Sequence, residues 1–244
     1  MPALADPPAA RVRRPAPTVA PGPPAPAVPD SFLWTDTPTD CVTLRGVSWD
    51  TYLSLSDEAE NGKVRFTFEH VAGPAGGILE IEMASEFPHE NVADLFLLLV
   101  AAYLERRGVD YEPAGAMHLR RPGVRGGQAD RTFFLGPKAA AARGGFPPGG
   151  GPPPDLVIEI VFGNPVSARK RAVYADLGVP EIWVWRDDTL TAQRLTDAGI
   201  YETVSDSVEL PGFPLDAARD LLNRRGELPK PALLAAFRRA VGGG

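Results

Sequence analysis

Three residues in this chain have types and spacings that could do chemistry. Glu159 sits in the middle of the apolar run Leu156-Val157-Ile158-Glu159-Ile160-Val161-Phe162. An ionised carboxylate there is costly to bury unless it is paired or coordinates a metal. On the two-residue period of a strand, Asp155, Val157, Glu159 and Val161 share one face. Asp130 heads a second apolar run, Asp130-Arg131-Thr132-Phe133-Phe134. Two carboxylates on neighbouring strands can hold Mg²⁺ through hard oxygen ligands. Lys170 lies in Arg169-Lys170-Arg171-Ala172-Val173-Tyr174, on a helix that follows the Glu159 strand, so its first turns can face the same edge of the sheet. Each residue also has a plainer reading. Glu159 could pair with a buried arginine, Asp130 could be an ordinary strand-start aspartate, and Lys170 could be a solvated lysine.

The elements that must position them follow from periodicity and punctuation. Ser48 is placed to cap a short helix carrying Trp49, Tyr52 and Leu53. Alternation over 64–68 and 78–83, joined by a Gly/Pro-rich stretch at 73–77, predicts a β-hairpin. A long buried helix follows: Pro88 suits its first turn, 92–104 form a wide apolar band, Arg106 and Arg107 fill the last turn, and Gly108 stops it. Strands are expected at 129–135, 155–162 and 181–185, with the second central in a sheet because it is apolar on both faces. The Gly/Pro-dominated stretch 136–154 reads as a mobile surface loop. A helix over 166–177 is stopped by Gly178 and Pro180, a meander occupies 189–195 and 200–204, and short helices close the chain at 214–223 and 230–240. This order predicts one α/β domain, starting near residue 47, with a mixed β-sheet flanked by helices.

The 244 residues suffice for one substantial domain plus a tail. Glycine (25) and proline (27) are unusually abundant and concentrate in two places. One is 136–154; the other is 1–30, a Pro/Ala-rich segment with little to bury, expected to be a disordered tail. Residues 31–226 are expected to form the domain, and 227–244 a C-terminal helix and tail. The net charge of −6 argues against a protein that coats nucleic acid by bulk electrostatics, but not against a nuclease whose divalent cation supplies the local positive charge. Cys41 stands alone, which excludes an internal disulfide or a multi-thiolate metal site and fits a reducing, cytoplasmic setting. No apolar run approaches the roughly 18 residues of a membrane span, and residues 1–10 lack the apolar core of a secretory signal. His70, His89 and His118 show no zinc spacing and read as incidental. The basic run from His118 to Arg125 could hold a phosphate backbone or be a solvated loop.

The motifs Pro154-Asp155-Leu156-Val157-Ile158-Glu159-Ile160-Val161, then Lys170 four residues before Tyr174, then Leu177-Gly178-Val179-Pro180-Glu181-Ile182-Trp183-Val184-Trp185, closely resemble the Uma-two family. Weaker matches are Gly46-Val47-Ser48-Trp49-Asp50-Thr51-Tyr52, Pro88-His89-Glu90, and Ala129-Asp130 through Gly136. The resemblance implies the restriction-endonuclease-like PD-(D/E)xK nuclease fold and a metal-dependent endonuclease. By it, Asp130 matches the family's aspartate, Glu159 its strand glutamate, and Lys170 a lysine moved from the strand position held here by Val161 onto the helix. Ala129 replaces the family's usual proline, and 162–167 depart from its Ser-Pro-Ser segment. Asp130 and Glu159 are expected to hold Mg²⁺ or Mn²⁺, with the carbonyl of Ile160 and the helix residue Glu90 as further candidate ligands. DNA is the expected substrate and a homodimer the expected state, the dimer contact drawn from the two tryptophans at 183 and 185. The rivals are a catalytically inactive module of the same fold that serves binding or assembly, and a phosphohydrolase of small nucleotides. If the two carboxylates repel each other, Glu159→Gln should leave stability unchanged or raise it; if Glu159 has a buried arginine partner, the same change should destabilise.

Overall fold

A computed structural model describes residues 41–58, 64–73, 76–83, 87–115, 117–146, 150–162 and 166–242. The Pro/Ala-rich segment 1–30 lies outside these residues. Regular structure starts earlier than the expected residue 47, with β1 (Cys41–Val47), a strand exposed along most of its length. Ser48 then caps α1 (Trp49–Asp57): its backbone is extended, and its hydroxyl accepts the Thr51 N–H at 3.0 Å. The expected hairpin is β2 (Val64–Glu69) and β3 (Gly77–Met83), antiparallel from Val64 opposite Met83 to Glu69 opposite Ile78. The long helix α2 (Phe87–Arg107) follows, and Gly108 ends it in the left-handed conformation at φ 63°.

Next come β4 (Tyr111–Ala114), β5 (Met117–Arg121), β6 (Arg125–Ala129) and β7 (Arg131–Leu135). Three corrections arise here. The basic run is a strand and a turn, and the single strand expected at 129–135 is divided at Asp130. The supposed loop at 136–154 contains α3 (Pro137–Arg143), whose alanine run outweighs the flanking glycines and prolines. The remaining elements match their expected places: β8 (Leu156–Val161), α4 (Ala168–Leu177), β9 (Glu181–Arg186), β10 (Thr189–Leu195), β11 (Tyr201–Val204), α5 (Leu215–Asn223) and α6 (Lys230–Gly242).

The α/β class and the helix-flanked mixed sheet are as expected, but the strands divide between two sheets. One is antiparallel throughout, ordered β1-β3-β2-β6-β5; the other is ordered β11-β10-β9-β8-β7-β4 and holds one parallel pair, β8 with β9. The chain passes from the first sheet to the second at Asp130, between β6 and β7. The main core lies on one face of the second sheet. There Leu156, Ile158 and Ile160 of β8 and Trp183 and Trp185 of β9 pack against Phe96 and Leu99 of α2, Leu222 of α5 and Phe237 of α6. The opposite face carries Val157 and Ile182, covered by Val173 and Tyr174 of α4. Both tryptophans of β9 are buried, so they are not available for the dimer contact suggested by the sequence. Among the described residues no helix is long and apolar enough to cross a membrane.

Candidate active site

The site lies where the two sheets meet, under α4. The register of β7 against β8 runs from Phe133 opposite Leu156 to Arg131 opposite Ile158. One further step sets Asp130 opposite Glu159, and directly opposed residues of an antiparallel pair present their side chains to the same face. The regular ladder stops before Asp130. Its side chain takes over, Oδ2 accepting the Ile160 N–H at 2.7 Å, so the carboxylate is fixed to the strand that carries Glu159. Both carboxylates are buried, Asp130 at 1% and Glu159 at 2% exposure.

Each carboxylate has its own cation. Lys170 Nζ lies 2.7 Å from Glu159 Oε2, and the Tyr174 hydroxyl, one helical turn later, donates to Glu159 Oε1. Lys170 is aimed by the start of its helix. Ser167 has extended backbone and caps α4 by accepting the Lys170 N–H at 3.1 Å, while its own hydroxyl donates to Glu80 Oε2 at 2.6 Å. Glu82 stands 3.6 Å from the same ammonium. On the other side, the guanidinium of Arg65 pairs with Asp130 Oδ1, and His89 Nε2 lies 3.1 Å from Asp130 Oδ2. Thus the buried arginine foreseen for Glu159 exists but serves Asp130, and Glu159 takes a lysine.

Glu90 lies at the rim. Its side chain is 48% exposed and faces His89 Nδ1 at 3.2 Å, Arg131 at 3.5 Å and Arg65 at 3.8 Å. It therefore meets the Asp130 group through His89 and Arg65. Burial, and then the Arg65 charge, press the His89 imidazole down to about 4, against the opposing pull of Glu90. At neutral pH the ring then carries one N–H for two carboxylates, so one of its two contacts has no proton to share. Burial, followed by the charge of Glu159, raises the Tyr174 phenol well above its ordinary value, which keeps it a donor.

Asp155 shares the Glu159 face of β8 but works structurally at the strand's other end. It accepts the Leu135 N–H at 2.7 Å and pairs with Lys138 at 2.7 Å. The basic run is equally occupied: Arg120 pairs with Asp57 and lies over the Tyr52 ring, and Arg125 reaches Glu69 at 3.0 Å and Asp176 at 3.2 Å.

Sequence reasoning missed Arg65, Glu80, Glu82, His89 and Tyr174 as members of the site. The hairpin's alternation sets Arg65, Thr67, Glu80 and Glu82 on its polar face without showing what covers it; in the fold α4 does. The available signal was the charged content of the covering helix start, Ser167 through Lys170, which suits a polar surface and not an apolar one. His89 was set aside because its spacing fits no zinc pattern, whereas it acts as a buried neighbour of Asp130.

Among the described residues, no three Asp, Glu, His or Cys side chains gather into a cation site. Asp130 and Glu159 nevertheless match in kind what Mg²⁺ takes from proteins: one or two carboxylates, with water and substrate phosphate completing the shell.

Residues 49–221 match the model of the Uma2 family, described as "Putative restriction endonuclease". The fold is similar to a crystal structure of a "putative nuclease" from Anabaena variabilis, with 15% sequence identity and a TM-score of 0.44, over 78% of this chain and 99% of that one. No curated protein matches the chain.

Proposed function

The chain belongs to the Uma2 family, and we propose that it is a metal-dependent endonuclease that hydrolyses DNA phosphodiester bonds, with Asp130, Glu159 and Lys170 as its catalytic residues. The observation that carries this reading is a pair of buried carboxylates at one place on β8: Asp130 is tied to the Ile160 N–H at 2.7 Å, next to Glu159, which lies 2.7 Å from the Lys170 ammonium. Asp130 and Glu159 would hold Mg²⁺ or Mn²⁺. When bound, such an ion polarises the scissile phosphate and lowers the pKa of an attacking water.

The chain's own groups supply the rest. Lys170 has three N–H donors, of which Glu159 takes one; the others serve a water or a phosphate oxygen, and the charge opposes the negative charge that develops on phosphorus. Tyr174 and the Ser167 cap hold Glu159 and Lys170 in one orientation. The Ile160 N–H does the same for Asp130. Burial on both faces of β8 keeps these groups from re-orienting into water.

The test is cleavage of plasmid and linear DNA with Mg²⁺, with Mn²⁺, and with a chelator. The wild-type protein should cut only with metal. Asp130→Asn, Glu159→Gln and Lys170→Met should each lower the rate by about a hundredfold or more. The rival is a module that binds without cutting, and the full charge compensation by Arg65 and Lys170 favours it. It predicts retention of DNA by wild type and variants alike, with no products. Phosphate release from free nucleotides, without DNA cleavage, would instead identify a small-molecule phosphohydrolase.

A further inference from the structure

We propose that Arg65 is a two-position counter-ion, seated on Asp130 and displaced to Glu90 when a divalent cation takes Asp130; this rests on the metal-dependent reading above. Arg65 belongs to β2, where it stands opposite Glu82 on the face turned toward α4. Its side chain is 10% exposed, so its charge needs carboxylate partners inside the protein. Two are at hand: Asp130 Oδ1, in direct contact, and Glu90 Oε1 at 3.8 Å.

The other oxygen of Asp130 already accepts the Ile160 N–H at 2.7 Å and has the His89 ring beside it at 3.1 Å. Oδ1 is therefore the oxygen through which Asp130 meets a further cation, and the guanidinium sits on it. Guanidinium and divalent ion are like charges competing for one oxygen. Glu90, half-exposed and within a small side-chain movement, can receive the arginine without leaving it unpaired. Lys170 has the same option on its own side, with Glu159 at 2.7 Å and Glu82 at 3.6 Å. Each buried cation of the site thus has a second carboxylate beside the first. In this reading Glu90 is a positioning residue: it acts on the metal through Arg65 and is not itself a ligand.

The experiment is calorimetric titration of the full chain with Mn²⁺ alone, accompanied by circular dichroism to establish folding. Arg65→Gln should bind Mn²⁺ about tenfold tighter than wild type, because one competing positive charge on Asp130 is gone. Glu90→Gln in the otherwise unchanged chain should bind several-fold more weakly, because the arginine has lost its second seat. In the Arg65→Gln background, Glu90→Gln should change nothing. If Arg65→Gln does not fold, Arg65→Lys keeps the buried charge without the forked grip and should tighten binding by a smaller factor, about threefold. Binding by either Arg65 variant that equals or falls below wild type overturns the proposal, as does a Glu90→Gln loss that persists without Arg65, which would make Glu90 a ligand. Absence of Mn²⁺ binding in wild type and all variants would instead overturn the metal-dependent reading itself, and this proposal with it.

Discussion

The strongest single test of the site is a double-mutant cycle on Glu159 and Lys170. The pair is buried on both sides, with Glu159 2% and Lys170 4% exposed, and 2.7 Å separates Nζ from Oε2. Breaking a buried ion pair by removing one charge costs about 3–5 kcal/mol, because the other charge is left uncompensated in a poor solvent. Glu159→Gln should fall at the lower end, about 3 kcal/mol. The amide oxygen still accepts a hydrogen bond, and Glu82 at 3.6 Å still opposes the ammonium. Lys170→Met should cost more, about 4 kcal/mol, since Glu159 then keeps only the Tyr174 hydroxyl and faces Glu82 without a cation between them. For a domain of this size each kcal/mol corresponds to about 2–4 °C in melting temperature, so Glu159→Gln should melt about 6–12 °C lower.

This reverses the sign expected if Asp130 and Glu159 were bare carboxylates repelling each other. In the fold each carboxylate is neutralised by its own cation, so little repulsion remains to be relieved. The assay is thermal and denaturant unfolding of wild type, both single variants and the double variant. The double variant should be less destabilised than the sum of the singles by about 2–3 kcal/mol, as expected for residues in direct contact. Additivity within about 0.5 kcal/mol, or a Glu159→Gln shift below about 2 °C, would refute the pairing and with it the orientation assigned to Lys170.

Five further outcomes follow from specific contacts. Gly126→Ala should lose about 1–3 kcal/mol in denaturant unfolding, because the added Cβ would lie 2.3 Å from the hydroxyl oxygen of the fully buried Tyr52. Gly178→Ala should cost about 1–2 kcal/mol, since the residue that ends α4 sits at φ 73°. Ser48→Ala should cost about 1 kcal/mol as a simple cap loss. Ser167→Ala should cost at least as much and also reduce DNA cleavage, because that cap aims Lys170 and holds Glu80. Cys41 should react with iodoacetamide at pH 8 about a hundredfold more slowly than in the unfolded chain. Burial, then the charges of Glu82 and Glu80, raise its thiol to about 11 and suppress the thiolate; Glu82→Gln should speed the reaction.

What could be read in advance depended on where physical chemistry leaves a one-dimensional trace. β8 was legible because burial on both faces makes an unbroken apolar run, and a carboxylate inside such a run announces a partner. α4 was legible at its end, where Gly178 takes the left-handed conformation, while its cap Ser167 lay inside the expected helix. Asp130 and Glu159 could be brought together because neighbouring strands separated by a single connection usually pair. β1 was overlooked although Val42 and Leu44 alternate with Thr43 and Arg45, because that alternation is only four residues long, and α3 was hidden by the glycines and prolines around it.

The larger failure lies on the hairpin's polar face. Alternation along β2 and β3 states that their two faces differ; it does not state what covers the polar one. Water or a charged helix satisfies Arg65 and Glu82 equally well in sequence, yet the two cases differ completely in energy. On a solvated face an arginine is worth little to stability. Beneath α4 the same side chain is the counter-charge that makes the burial of Asp130 tolerable. The two carboxylates were therefore identifiable from their own neighbours in the chain, while their cations were not. An acidic residue in an apolar strand reveals that a compensating charge must exist, but only the packing of a second sheet against the first decides which of the chain's 25 lysines and arginines provides it.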